Sequence, residues 1–142
     1  MRLHHLGWVV KDLARSELQF AREGAEAISP AIPDPTQRVV VQFLRDAESD
    51  VLWELIAPLG DVEGSPLKSR LARGGGLDHA CYELEPADGT LEAVVAAEVV
   101  KGARVLCAPV HAVAFDRRIA FVWRPSGRVV EFVEPRRDGM RF

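Results

Sequence analysis

The hydrophobic pattern switches along the chain between two periods. Residues 2–10, RLHHLGWVV, form a short apolar run rich in β-formers and predict a strand. In KDLARSELQFAREG, Leu13, Leu18 and Ala21 recur at near-helical spacing, with Asp12 as N-cap and Gly24 as stop signal. Ala25–Pro30 predicts a second strand and IPDPTQ a loop. Strands are expected over Arg38–Leu44 and Val51–Ala57, separated by the turn RDAESD and ended by Pro58. SPLKSRLARGGG predicts a linking helix, with Ser65 as N-cap, Pro66 at the first helical position and three glycines at its end. The pattern then restarts. Leu77–Leu84 predicts a strand, Thr90–Lys101 a helix and Ala103–Ala108 a strand. Arg118–Trp123 and Arg128–Val133 predict a hairpin around PSG.

Each half thus reads βαβββ, and the halves also align by residue. Leu3-His4-His5 matches Leu77-Asp78-His79 at an offset of 74, and Gly24-Ala25 matches Gly102-Ala103 at 78. Trp53 to Pro58 matches Val130 to Pro135 at 77. Matches in order at nearly constant offset are the mark of a duplication. The expectation is a single α+β domain over 1–142, with repeats at about 1–60 and 75–135 joined by a helical linker, 61–74.

Four polar residues interrupt the apolar strands: His5, Glu54, His79 and Glu131. A carboxylate inside LWELIA or RVVEFVE is costly to bury without a partner. Here it recurs at repeat-equivalent positions, each time with a histidine in the first strand of its half. His5 is preferred to His4, because Asp78 stands opposite His4 in the alignment. Taken singly, a strand glutamate often faces solvent and a lone histidine is often structural. Together, two neutral imidazoles and two carboxylates make a charge-balanced shell for one divalent ion, with positions left for water or substrate. Cobalt, manganese, nickel, zinc and iron all suit such a donor set.

Composition narrows the function classes. With 18 Lys and Arg against 21 Asp and Glu, the net charge is −3, which argues against binding a nucleic-acid backbone. The two cysteines, Cys81 and Cys107, sit in apolar runs outside any CxxC and read as buried reduced thiols. No apolar stretch is long enough for a membrane span, and the N-terminus lacks a signal-peptide pattern, so a cytoplasmic location is expected.

The motifs resemble the vicinal oxygen chelate superfamily, and within it the methylmalonyl-CoA epimerase-like proteins. The resemblance is carried by His5-Leu6-Gly7 with Val10-Lys11-Asp12-Leu13, by Glu54-Leu55 with Ala57-Pro58-Leu59-Gly60, and by Ser65-Pro66-Leu67. It continues through Gly75-Gly76-Leu77-Asp78-His79-Ala80-Cys81-Tyr82-Glu83, Lys101-Gly102-Ala103-Arg104 and Val130-Glu131-Phe132. It implies paired βαβββ modules forming a curved, incomplete eight-stranded barrel. It also implies His5, Glu54, His79 and Glu131 as metal ligands, a homodimer, and abstraction of a proton α to a carbonyl. The substrate class it implies is an acyl-CoA thioester. Glu131 is the expected catalytic base, and Gln42 and Arg118 are the candidates for holding substrate. Arg117, Arg118 and Arg124 are candidates for contacting an anionic ligand, although judged singly they read as solvated surface arginines. Trp53 and Trp123 are candidates for a pocket wall. The sequence departs from the epimerase pattern at Val41, where some relatives carry a glutamate, in Val113–Arg118, and in the short Pro125-Ser126-Gly127-Arg128 turn. Two alternatives share the fold: a glyoxalase I-like lyase and a non-catalytic small-molecule binding or resistance protein. A ring-cleaving dioxygenase fits less well, because Glu54 fills a fourth ligand position.

Overall fold

A computed structural model describes residues 1–140. Strands β1 (Arg2–Val9), β2 (Ala25–Ala27), β3 (Ile32–Asp34), β4 (Val39–Asp46) and β5 (Leu52–Pro58) come first, with helix α1 (Leu13–Arg22) after β1. Helix α2 (Lys68–Ala72) leads to β6 (Gly76–Glu83), helix α3 (Leu91–Val100), β7 (Arg104–Ala112), β8 (Arg117–Trp123) and β9 (Val129–Val133). The protein is α+β, as its pattern predicts. Two compact units are formed, one from His5–Asp78 and one from Met1–His4 with the residues from His79 onward.

In the first unit, β1 pairs with β5 in parallel, β5 with β4 antiparallel, and β2 and β3 both with β4. Because side chains alternate along a strand, one face of this sheet carries Val40, Gln42, Leu44, Trp53, Leu55 and Ala57. That face is covered by α1, through Leu13 and Phe20, and forms a core with Val10 and Ala25. Asp12 caps α1 by accepting from Arg15 N at 3.0 Å, as its sequence position predicts. The opposite face carries Val41, Phe43, Glu54 and Ile56.

The second unit repeats this plan. β6 pairs with β9 in parallel, β9 with β8 and β8 with β7 antiparallel. Tyr82, Ala120, Val122, Val130 and Phe132 turn toward α3 and pack on Leu91, Val94 and Val95. Thr90 caps α3, accepting from Ala93 N at 3.2 Å. Phe121 and Glu131 lie on the other face.

Three local expectations need correction. The loop predicted over IPDPTQ contains β3, so nine strands form among the described residues where eight were expected. The extra strand arises from a break. Ile28 N still donates to Phe43 O, but Phe43 N donates to Ser29 Oγ at 2.9 Å, and Pro30 has no N–H. β2 and β3 are therefore one interrupted strand, and β7 runs through the equivalent place with register shifts between Val105 and Val110. Ser65 does not cap α2, whose N-cap is Leu67. Its hydroxyl accepts instead from Leu67 N at 3.1 Å, in the turn before the helix. Cys81 is buried as expected, but Cys107 is half-buried, because β7 lies beyond the edge of the core.

Candidate functional site

Each unit presents one buried histidine–glutamate pair on the sheet face away from its helix. In the first, His5 Nε2 lies 3.2 Å from Glu54 Oε2, and the two side chains are 0% and 8% exposed. In the second, His79 Nε2 lies 3.4 Å from Glu131 Oε2, with exposures of 2% and 3%. The strands fix both pairs by the same register. Glu54 lies across from Gly7 on β1 and Phe43 on β4; Glu131 lies across from Cys81 on β6 and Phe121 on β8. In both units the phenylalanine meets the imidazole edge-on. The ring centroids are 5.6 Å apart for His5–Phe43 and 5.1 Å for His79–Phe121, with interplanar angles of 80° and 87°. A three-residue arrangement of His, Glu and Phe therefore occurs twice. Buried carboxylates beside imidazole nitrogens, held on apolar strands, match the nitrogen and oxygen donors that divalent transition metals take.

The two expected substrate contacts lie elsewhere. Gln42 is on the α1 face of β4, where its Nε2 donates to Ser29 O at 3.3 Å. Arg118 is on the α3 face of β8. It donates to Glu134 at 2.6 and 2.8 Å and to Glu92 at 2.5 Å, and these carboxylates raise its pKa further. Neither residue is placed beside the glutamate of its own unit. Trp53 lines a cavity of about 390 Å³ with Trp8 and Phe20, also on the α1 face. His111 is exposed on β7, paired with Asp116 at 3.0 Å.

The sequence reading missed a second polar cluster, in the second unit. Arg117 is 1% exposed, although it reads as a surface arginine from sequence. Its Nη1 lies 3.2 Å from Glu83 Oε2 and donates to Glu134 O at 2.6 Å. Glu83, itself 3% exposed, also receives Arg2 at 2.8 Å and Arg136 at 3.4 Å, and His4 Nε2 lies 3.6 Å away. Burial pushes the Glu83 carboxyl up. Arg2, Arg117 and Arg136 more than offset this and hold it below the ordinary carboxylate value. Burial lowers the Arg117 pKa against the pull of Glu83. The signal for this cluster was present in the repeat alignment, where Glu83 and Arg117 fall opposite Val9 and Val39.

Comparison with known proteins agrees with this architecture. Residues 4–121 match the model of the glyoxalase/bleomycin resistance protein/dioxygenase superfamily. An ethylmalonyl-CoA/methylmalonyl-CoA epimerase of Cereibacter sphaeroides is 37% identical over 87 residues, which cover 59% of this chain and 61% of that relative. The match therefore spans less than two thirds of the relative's length. The crystal structure of methylmalonyl-CoA epimerase from Mycobacterium tuberculosis superposes with a TM-score of 0.76 at 25% identity, covering 96% of this chain and 89% of that one. A hypothetical protein from Bacillus halodurans shares the fold at a TM-score of 0.79 and 22% identity, covering 97% and 96%. With 118 of its residues inside the family match, the chain belongs to the glyoxalase/bleomycin resistance protein/dioxygenase superfamily.

Proposed function

We propose that the protein is a metal-dependent epimerase that removes and returns a proton α to a carbonyl, with an acyl-CoA thioester as substrate. The observation that carries this reading is the duplicated buried His–Glu pair, whose four donors suit one divalent ion. The epimerase named among its relatives supports the substrate class.

His5, Glu54, His79 and Glu131 would hold the ion. When bound, it supplies Lewis-acid polarisation of the substrate carbonyl. Glu131 takes the α-proton. It is suited to this because Ile119, Phe121 and Val133 on the same sheet face keep its carboxylate in apolar surroundings. His79, at 3.4 Å, orients that carboxylate. β4 supplies no opposing acid: Val41, 4% exposed, shares the face of Glu54, whereas Gln42 turns away from it. This apolar position also favours a second reading, a small-molecule binding protein of the same fold.

We place the enzyme in the cytoplasm as a homodimer. No helix among the described residues is long and apolar enough to cross a membrane. Val105 and Leu106 on β7 and Trp123 on β8 are exposed apolar residues that a second copy would cover.

Elemental analysis of untagged protein tests the site. About one divalent ion per chain is expected, and Glu54→Ala or Glu131→Ala should lose it. Proton exchange from methylmalonyl-CoA in D₂O tests the activity. Glu131→Gln should slow exchange by about 10²–10⁴-fold. Wild type that takes up none of Co²⁺, Mn²⁺, Ni²⁺ or Zn²⁺ would end the enzyme reading in favour of the binding protein.

A further inference from the structure

The two units follow one plan, yet they differ at one buried pair of positions. In the first unit these positions hold Val9 and Val39, 2% and 7% exposed. Val9 lies across from Ile56, and Val39 across from Asp34 and Pro58. In the second unit the equivalent positions hold Glu83, across from Val133, and Arg117, across from Ala112. An apolar pair in one repeat is therefore a buried ion pair in the other.

Exchanging well-packed apolar residues for a buried ion pair seldom adds stability, because desolvation of two charges consumes the Coulombic gain. The pair is also incompletely satisfied. Arg117 Nε is buried with no hydrogen-bond acceptor among the described residues. Above it, Arg2 and Arg136 point further guanidinium groups at the same carboxylate, with side chains 59% and 36% exposed. Three guanidiniums thus converge on Glu83. At Glu83 itself three guanidiniums face one carboxylate, so the cluster is positive there.

We infer that Arg2 and Arg136, set over the Glu83–Arg117 pair, form an anion subsite that takes a carboxylate or phosphate group. Arg117 neutralises Glu83 from beneath. The N–H groups of Arg2 and Arg136 that Glu83 leaves over then donate to the incoming anion in charge-assisted bonds. The subsite lies on the same sheet face as His79 and Glu131. Glu83 follows His79 by four residues on β6, a rise of about 13 Å. A ligand reaching Glu131 with an anionic group at its far end could span both. The inference does not need the metal reading, since the subsite uses none of its four donors.

Isothermal titration of metal-free protein at low salt tests it, with inorganic diphosphate and malonate as separate probes. Binding of one or both is expected, and which one binds distinguishes a phosphate from a carboxylate ligand. Arg136→Met should weaken binding about tenfold. The double variant Arg2→Met/Arg136→Met removes both donors and leaves the buried Glu83–Arg117 pair in place. It should stay folded, because both side chains are exposed, and weaken binding at least tenfold. Wild type that binds neither probe at millimolar concentration overturns the inference, as does a folded double variant that binds as well as wild type. Metal uptake measured on the same variants should not change, so failure of the subsite and failure of the metal site are read separately.

Discussion

At the residue scale, the clearest feature is the pairing of each imidazole with an edge-on phenylalanine. Phe43 is fully buried on β4, across from Glu54 on β5 and edge-on to the His5 ring. Phe43→Ala leaves a large void there and should cost about 3–5 kcal/mol in denaturant titration. Phe121, only partly buried, should cost less when truncated in the same way. The burial of His5, Glu54, His79 and Glu131 was legible in the sequence because a polar residue in an apolar strand is conspicuous, more so when repeated. Gln42 and Arg118 were not. Their chemistry suited a substrate, but the side of the strand they occupy depends on register, which one residue's shift reverses. Arg117 and Arg118 illustrate the same limit. They are neighbours with identical side chains, yet one is buried on the Glu83 face and the other is exposed toward Glu92.

At the element scale, caps and stops mark the two long helices, α1 and α3, although Ser65 does not cap α2. Asp12 and Thr90 each accept from a backbone N–H three residues on, and Gly24 and Gly102 end their helices with positive φ. The tight glycine turn before β6 shows why that stretch tolerates no side chain. Gly75 has φ +70°, and a Cβ built there would stand 2.5 Å from Val9 O. The obstacle is backbone at a strand end, which cannot swing aside. Gly75→Ala should therefore destabilise the first unit by about 1–3 kcal/mol, seen as a lower midpoint in urea. The break between β2 and β3 was not legible. It depends on a side-chain hydroxyl taking a ladder N–H, and a strand pattern does not distinguish Ser29 from any other small polar residue.

At the scale of the whole molecule, the duplication sets the plan, and charge placement separates the halves. The second unit holds several partly buried carboxylates whose ordinary value is 4.5 and whose pKa is lowered by arginine. Glu83 has Arg2 and Arg117, Glu98 has Arg124 and Lys101, and Glu134 has Arg118. The sign follows from linkage. A carboxyl with a depressed folded pKa binds fewer protons in the native state than in the unfolded state, so stability rises with pH through the interval between the two values. These contributions are complete above the ordinary value of 4.5 and are lost as pH falls through the folded values. The melting temperature of metal-free protein should therefore fall as pH drops below about 4.5. Glu83→Val/Arg117→Val removes the most deeply buried of these carboxylates and the arginine beneath it. Its acid limb should be shallower than that of wild type, while Arg118→Met should flatten it less, since that pair is partly solvated and screened. A double variant with an acid limb as steep as wild type would mean that Glu83 titrates alike in the folded and unfolded chain. The buried cluster would then contribute nothing to the pH response of the fold.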